Sequence, residues 1–402
     1  MIFHNEAEEK LYLTRAEQAY ERLKDRYVQE SIPLTATVAV IDGRPTFANK
    51  PTTGFQPISE GALWGMNWQT GWFTLDGTVP AAWAGKEVVA WIEIAGEGLL
   101  YSSEGKALQG ITHGSVFDHW ASRPHARLFP ACRGGESVKL WLEGAANNLG
   151  GMSLPHNAPR QDPNRFGTFH ASVKHLRLAA VDPGVWALRW DMEVLLDIYQ
   201  NLPKGSVRRA RILRALSKCC EVLARDETAY AAARGELAAT MAMPANASDI
   251  PVRAVGHAHI DTAWLWPQGE SVRKTARTFA NQLDLIERYP GYIFGASTPQ
   301  HYAWMKELYP ELYARVKQAI AAGRWEPQGG MWVEADCNLT SGESLVRQFI
   351  HGKNFFRDEF GWDVDNLWLP DVFGYSAALP QIMAKSGVTT FLTQKISWNQ
   401  FN

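Results

Sequence analysis

The sequence is poor in cysteine, with four in 402 residues and no Cys-x-x-Cys pair. Such sparse and irregular cysteines argue against a disulfide framework and against a thiolate metal site. We expect them to be reduced and mostly buried. They are Cys132, Cys219, Cys220 and Cys337.

Long apolar runs and charge of one sign are also lacking. No stretch approaches the roughly 18 consecutive apolar residues of a membrane span, and the opening residues lack the basic and apolar regions of an export signal. The formal net charge is -2, and the Lys and Arg residues are scattered, which is not the pattern of a nucleic-acid or anionic-membrane surface. The sequence therefore predicts a cytoplasmic protein with a neutral partner, no nucleic-acid partner and no membrane partner.

Tryptophan, in contrast, is abundant, with 17 residues. A flat apolar ring with one polar edge suits the face of a sugar, although core packing is the more common explanation for any single tryptophan. The chain is 46% apolar and is long enough for two or three domains.

Changes in sequence periodicity divide the chain into four regions. Residues 1–30 have apolar residues at helical spacing, which predicts an amphipathic N-terminal helix. Residues 31–180 consist of short β-branched and aromatic runs between Gly, Pro and Asn clusters, which is typical of a β-sandwich. Residues 181–250 return to helical spacing and end in a linker, so we interpret them as a helical connector.

In residues 251–402, extended runs alternate with helices. Extended runs are predicted at Tyr292–Ala296 and Asn366–Leu369, and a capping-box pattern, Thr340-Ser-Gly-Glu343, opens the helix between them. This alternation predicts an α/β domain with a parallel sheet, whose active-site loops lie at the carboxyl ends of the strands.

The first candidate site is Gly256-His-Ala-His-Ile-Asp-Thr-Ala-Trp264, which leaves a predicted strand. In an extended chain His257, His259 and Asp261 share one face. Imidazole and carboxylate groups on one side of a strand end are suitable ligands for zinc or a similar divalent metal. Ionisable groups in this arrangement are costly without a function, so we favour a metal site over a structural role.

Two further segments place acidic residues after predicted strands. An apolar run delivers Asp371 into a Gly-containing turn, where it either caps the next helix or supplies a metal carboxylate; we favour the metal. Gly329-Gly-Met-Trp-Val-Glu-Ala-Asp336 presents Glu334 and Asp336. These two acids either bind sugar hydroxyls, assist acid–base chemistry or cap a helix, and the sequence does not rank these roles.

The segment from Val255 to Asn402 resembles the start of the catalytic domain of glycoside hydrolase family 38, the α-mannosidases. Four motifs match in order, and they are His259-Ile-Asp261, Trp332-Val-Glu334, Asp371-Val-Phe-Gly and Gln394-Lys395. The family resemblance implies an α/β catalytic domain of distorted, β/α barrel-like form.

Two more segments, Ser341-Gly-Glu-Ser344 and Ser397-Trp-Asn-Gln-Phe-Asn402, are similar to the cytosolic and vacuolar branch of that family. The upstream segments Trp83-Ala-Gly-Lys-Glu-Val and Gly96-Glu-Gly-Leu-Leu-Tyr101 are more weakly similar to the β-sandwich that precedes the catalytic domain in this branch. The resemblance therefore covers nearly the whole chain.

The resemblance implies a retaining double displacement on mannose-containing oligosaccharides, with Asp371 as the nucleophile. It also implies that His259, Asp261 and Asp371 bind Zn2+, with Co2+ as an alternative ion. Trp264 would stack on the sugar, and Lys395 would stabilise the charge of Asp371. The remaining residues expected to bind substrate or to support the ligands are His257, Trp332, Glu334 and Asp336.

The sequence departs from the family pattern at several positions. Ile260 replaces an Asn, Thr262-Ala263 replaces Pro-Gly, and Lys395 stands where many relatives have Arg. None of these changes removes a ligand. The family's remaining metal-binding His and its general-acid Asp would lie downstream of Asn402, so the resemblance implies an incomplete, truncated catalytic domain. A homo-oligomer is compatible with the sequence.

Two other functions stay open. A metal-dependent deacetylase or amidohydrolase also uses His-x-His after a strand, but it needs further histidines, and His301 and His351 fall in predicted helices. Alternatively, the Trp-rich sandwich binds carbohydrate and the catalytic half is a non-catalytic remnant.

Overall fold

The computed structural model describes residues 6–66, 68–112, 122–147, 170–245, 249–264 and 266–398. The predicted N-terminal helix is α1 (Glu6–Lys24). Its buried face consists of Ala16, Ala19, Tyr20 and Leu23, which is the helical spacing seen in the sequence. The first five residues and the last four lie outside the described part, including the end of the Ser397–Asn402 motif.

The predicted β-sandwich is confirmed as two antiparallel sheets with a small third pair. The strands described in this region are β1 (Val28–Pro33), β2 (Thr35–Ile41), β3 (Gln56–Ile58), β4 (Leu63–Met66), β5 (Thr70–Thr78), β6 (Glu87–Glu93), β7 (Glu97–Ser102), β8 (Ala107–Ile111), β9 (His125–Phe129), β10 (Ser137–Ala145), β11 (His170–Ser172) and β12 (His175–Val181). One sheet has the order β1-β12-β6-β9 and the other β3-β2-β5-β10-β7-β8, while β11 pairs with β4.

The core of the sandwich lies between the two large sheets. Phe73 on β5 and Leu142 on β10 are fully buried against Val88, Ile92 and Leu178 of the opposite sheet. Burial of each such side chain contributes roughly 1.5–3 kcal/mol relative to an exposed one. The apolar residues that alternate along these strands therefore hold the two sheets together.

Three helices follow the sandwich and pack with α1 around a core of their own. They are α2 (Pro183–Asn201), α3 (Val207–Arg225) and α4 (Tyr230–Met241), and the segment Pro203-Lys-Gly lies between the first two. All four cysteines are buried and unpaired, as predicted. Within the described ranges, the helices lack the combination of length and apolar character needed to cross a membrane.

The C-terminal region alternates strands and helices, and its strand pairs are parallel as predicted. The strands are β13 (Gly256–His257), β14 (Phe294–Ala296), β15 (Trp325–Pro327), β16 (Asn366–Leu369) and β17 (Thr390–Thr393). One sheet has the order β13-β14-β15, and β16 pairs with β17. The helices are α5 (Gln268–Arg288), α6 (Pro299–Leu308), α7 (Pro310–Ala321), α8 (Gly342–Phe360) and α9 (Leu379–Lys385).

The two parallel sheets meet where β15 ends and β16 begins. The Gly330 amide donates to the carbonyl oxygen of Asn366 at 2.9 Å, and the Gly329 amide donates to its side-chain oxygen at 2.9 Å. These bonds join the loop after β15 to the first residue of β16. The barrel-like closure stays a prediction.

The start of α8 differs by one residue from the capping-box prediction. Ser341, rather than Thr340, is the N-cap, and its hydroxyl accepts a hydrogen bond from the Ser344 amide at 3.2 Å. Glu343 pairs with Arg347 one turn further on, while the Thr340 hydroxyl donates to the carbonyl oxygen of Asp336. Ser341 thus accepts from the amide of the third helical residue, while the Thr340 hydroxyl is used by the preceding loop.

Helix α8 packs very closely against the loop after β15. A Cβ atom added at Gly352 would lie 2.3 Å from the carbonyl oxygen of Gly330 and 2.6 Å from the carbonyl carbon of Met331. Backbone atoms cannot rotate away as a flexible side chain does. Gly352 therefore sets the distance between α8 and this loop.

We expect Gly352→Ala to lower the free energy of unfolding by about 1–3 kcal/mol, because the helix must move off the loop. Gly342→Ala is the control, since a Cβ atom there meets nothing within 4 Å. Urea denaturation of both variants measures the difference. Equal stability of Gly352→Ala and the unmodified chain would contradict the close packing described here.

Candidate active site

Polar side chains from four strands meet at the carboxyl edge of the parallel strands. His259 lies two residues after β13, Asp371 two residues after β16 and Lys395 two residues after β17. Glu334 comes from the loop after β15. Because parallel strands end at one edge, residues far apart in the sequence come together there.

His259, Asp261 and Asp371 form a compact group of potential ligands. The Nε2 atom of His259 lies 3.3 Å from Oδ1 of Asp261 and 3.6 Å from Oδ2 of Asp371. One donor atom from each residue lies within 4.8 Å of the others. The structure thus brings together the three residues that were predicted as ligands.

The spacing and charge of this group fit a divalent metal. Two ligands about 2.1 Å from an ion with tetrahedral geometry are about 3.4 Å apart, which lies between the two distances measured from His259. One imidazole and two carboxylates are ligands that zinc accepts in proteins. All three side chains are partly exposed, at 29%, 32% and 35%, so an ion and a substrate can reach them.

A third carboxylate, that of Glu334, contacts the other nitrogen of the same imidazole. Its Oε2 atom lies 3.1 Å from Nδ1 of His259, and its Oε1 atom accepts a hydrogen bond from the Ser297 hydroxyl at 3.1 Å. The Glu334 side chain is only 11% exposed. His259 is therefore surrounded by acids on both ring nitrogens.

These acids favour a positive charge at the centre of the group. Burial by itself lowers the pKa of His259, but the contacts and negative charges of Asp261 and Glu334 outweigh it and raise this pKa to about 10. A group of acids that favours positive charge so strongly is electrostatically suited to a cation.

Lys395 contacts the candidate nucleophile directly. Its Nζ atom lies 2.6 Å from Oδ1 of Asp371, and its ammonium group lies over the rings of Phe373 and Trp398, at 5.0 and 4.0 Å from their centroids. The two oxygens of Asp371 therefore face different partners, because Oδ1 meets the lysine and Oδ2 faces His259.

His257 lies next to the group but is not part of it. Its ring packs on Trp368 with a centroid distance of 4.7 Å, and its Nε2 atom is buried without a hydrogen-bond partner. Burial, and then the nearby charge of His259, lower the pKa of His257 to about 4. The imidazole is therefore neutral at physiological pH and acts as an apolar support.

The other predicted site residues make contacts outside the ligand group. Trp264 is 42% exposed and packs edge-on against Trp266, so its ring is accessible. The Trp332 indole nitrogen donates to the side-chain oxygen of Gln300 on α6 at 3.1 Å, so this edge of the ring faces α6. Asp336 is exposed and accepts hydrogen bonds from the amides of residues 338 and 339, both at 2.8 Å, so it stabilises its own loop.

Sequence reasoning missed Ser297, and it placed His301 in a helix without any contact to the candidate site. Ser297 directly follows β14, and the position after a strand could have drawn attention to it, but a lone serine carries no strong signal. His301 is buried, and its Nε2 atom lies 3.0 Å from the hydroxyl of Thr262, next to Asp261. No spacing in the sequence indicates this contact between α6 and the loop that carries Asp261.

Comparisons with known protein families match both halves of the chain. Residues 249–402 match the family described as "Glycosyl hydrolases family 38 N-terminal domain". Residues 32–173 match the family described as "Alpha-mannosidase, jelly roll domain". The second match coincides with the two-sheet sandwich, and the first contains every residue of the candidate site.

Whole-chain comparisons give the same result. The chain is 39% identical over 351 residues to Alpha-mannosidase 2C1 of Homo sapiens, covering 87% of this chain and 33% of that protein. It is 35% identical over 382 residues to Alpha-mannosidase 2C1 of Mus musculus, covering 94% and 36%. It is 30% identical over 416 residues to Alpha-mannosidase of Saccharomyces cerevisiae, covering 95% and 36%.

The chain spans about a third of the length of these curated relatives. The matched part includes the jelly-roll domain and the segment with His259, Asp261 and Asp371. The resemblance inferred from the sequence motifs is therefore confirmed. The chain belongs to glycosyl hydrolase family 38, and its residues 249–402 match the N-terminal domain of that family.

Proposed function

We propose that this chain carries the nucleophile and part of the divalent-metal site of a retaining α-mannosidase. The observation that carries the proposal is the meeting of His259, Asp261 and Asp371 within 4.8 Å at one edge of the parallel strands. The names of the relatives, all alpha-mannosidases, support terminal α-mannosyl residues of oligosaccharides as the substrate.

Asp371 is the nucleophile in this proposal. One of its oxygens forms a bond to the anomeric carbon while the bond from that carbon to the leaving-group oxygen breaks. The leaving oxygen takes a proton from a general acid. Water then cleaves the mannosyl ester of Asp371, and the configuration at the anomeric carbon is retained.

Lys395 prepares Asp371 for this attack. The ammonium group 2.6 Å from Oδ1 stabilises the carboxylate and fixes its orientation. A second oxygen that faces His259 allows the same carboxylate to hold an ion. Asp371 can therefore serve as both ligand and nucleophile.

His259, Asp261 and Asp371 are the residues of this chain that would hold Zn2+ or Co2+. When bound, the ion would supply Lewis-acid binding of two neighbouring sugar hydroxyls and would orient the ring. Trp264, with its accessible indole, offers an apolar surface on which the face of the sugar can stack.

The amidohydrolase alternative has little support from the geometry. Such a site needs additional histidine ligands, but His301 is buried in contact with Thr262. His351 is exposed on α8. Among the described residues, the cluster suited to a metal contains His259 as its sole imidazole.

Activated mannosides test the proposed reaction. A dinitrophenyl α-mannoside releases its leaving group without a general acid, so the chain needs only its nucleophile and metal site to react. We expect dinitrophenol release of at least one equivalent per chain with zinc or cobalt, none after dialysis against a chelator, and none from the β-mannoside. Sugar binding without any release would instead favour the non-catalytic carbohydrate-binding alternative.

We expect His259→Ala to abolish zinc binding, because it removes the one imidazole of the ligand group and leaves only the two carboxylates of Asp261 and Asp371. His351→Ala is the control, since this histidine is exposed on α8. Metal content after gel filtration, measured by atomic emission, gives the result. Unchanged zinc content in His259→Ala would contradict the ligand assignment.

A further inference from the structure

We infer that Glu334 is a positioning residue that fixes the orientation of His259 for metal binding, with Ser297 holding the carboxylate in place. This inference rests on the proposed metal site and adds to it a residue that is not itself a ligand.

The first support is the geometry of the imidazole. Its Nε2 atom faces Asp261 and Asp371, at 3.3 and 3.6 Å, while its Nδ1 atom faces Glu334 at 3.1 Å. A carboxylate at Nδ1 occupies that nitrogen, which leaves Nε2 as the nitrogen that an ion can bind. Nε2 is also the nitrogen that faces the two carboxylates of the ligand group.

The second support is an unsatisfied oxygen. Glu334 Oε2 is buried and has no well-aligned hydrogen-bond donor, although Nδ1 of His259 is close to it. A buried polar atom without a partner is destabilising. Nδ1 of His259, 3.1 Å away, is the donor atom that faces this oxygen, so keeping the imidazole with Nδ1 towards Glu334 reduces that cost.

The loop that carries Glu334 is fixed from both sides. The Val333 amide donates to the side-chain oxygen of Gln348 on α8 at 3.0 Å, and the Trp332 indole donates to Gln300 on α6 at 3.1 Å. Ser297 then holds the carboxylate itself at 3.1 Å. A carboxylate with so little freedom can hold the ring of His259 in one orientation.

The same contacts argue against the other roles considered for Glu334. Its two oxygens are directed at Ser297 and at His259, and its side chain is only 11% exposed. A general acid or a sugar ligand needs an oxygen that the substrate can reach. Asp336, two residues further on, is exposed and bonded to its own loop, which makes it a matched control.

Zinc affinity of the chain tests the inference, measured by competition with a chromophoric chelator. We expect Glu334→Gln, which keeps the size of the side chain but removes its charge, to weaken binding by about 10–100-fold. Ser297→Ala should weaken binding in the same direction by less. Asp336→Asn should bind zinc as the unmodified chain does.

The visible spectrum of bound Co2+ provides a second readout, because it reports the ligand geometry and a purely structural role would leave it unchanged. We expect a changed spectrum in Glu334→Gln and the original spectrum in Asp336→Asn. Parental zinc affinity and spectrum in Glu334→Gln would overturn the inference. If His259→Ala still abolishes binding in that case, the proposed metal site stands and the positioning role alone fails; if His259→Ala binds zinc normally, the site itself fails.

Discussion

Asp371→Asn is expected to lower the rate of dinitrophenol release from an activated α-mannoside by a factor on the order of 10^4 or more, while the chain stays folded. An amide cannot form the ester to the anomeric carbon. It also loses the charge that meets Lys395 at 2.6 Å. Because Asp371 is 35% exposed, the substitution should cost little stability.

Asp365→Asn is the matched control for this prediction. Asp365 immediately precedes β16 and is exposed, so it lies at the opposite end of the strand that presents Asp371. Burst kinetics with zinc present measure both variants. A normal burst from Asp371→Asn would show that another residue attacks the sugar.

Arg273→Met is expected to destabilise the chain by about 3–5 kcal/mol, because it removes a buried guanidinium that offsets the charges of two buried carboxylates, Glu143 and Glu270. Arg273 on α5 is 2% exposed, forms an ion pair with Glu270, and lies 3.5 Å from Glu143 of β10. It also donates to the Thr70 hydroxyl of β5 at 2.7 Å. This guanidinium therefore connects the first catalytic-domain helix to the sandwich.

The surrounding groups show how strongly these acids depend on the cations of α5. Burial by itself would raise the pKa of Glu97, but Lys274 and Arg277 outweigh it and lower this pKa to about 2. Burial raises the pKa of Glu143, and Arg273 is the strongest opposing charge. Removal of Arg273 therefore takes away the positive charge that most strongly opposes the effect of burial on Glu143.

Arg347→Met is the control for Arg273→Met. Arg347 pairs with Glu343 on the surface of α8, where the two side chains are 65% and 68% exposed. Such a pair contributes only about 0.3–0.5 kcal/mol. Urea denaturation compares the two variants, and similar midpoints would contradict the structural importance of the buried cluster.

Much of the architecture could be predicted from local sequence patterns. Periodicity located the sandwich and the alternating strands and helices, because a half-buried strand or helix requires a specific repeat of apolar residues. The alternation His259-Ile-Asp261 indicated shared ligands, because residues two apart in an extended chain point the same way. Asp371 could be connected to them because parallel strands end at one edge.

The remaining features depend on packing between distant segments. The sequence could not rank Glu334 against Asp336, since their roles depend on which carboxylate faces His259 after the loop has packed on α8. The capping pattern pointed to Thr340, but the loop uses that hydroxyl and Ser341 takes its place. The buried charges of α5 resemble an ordinary solvent-exposed face in the sequence, and only their contacts with β5 and β10 reveal them.

The most direct test of the central claim is covalent trapping of the nucleophile. A mannosyl fluoride whose additional ring fluorine slows hydrolysis of the ester should label the zinc-loaded chain once, and peptide mass spectrometry should place the mannosyl group on Asp371. Labelling should disappear after zinc removal and in His259→Ala. A label on a different residue, or labelling that does not depend on metal, would contradict the proposal that this chain holds a metal-supported α-mannosidase nucleophile.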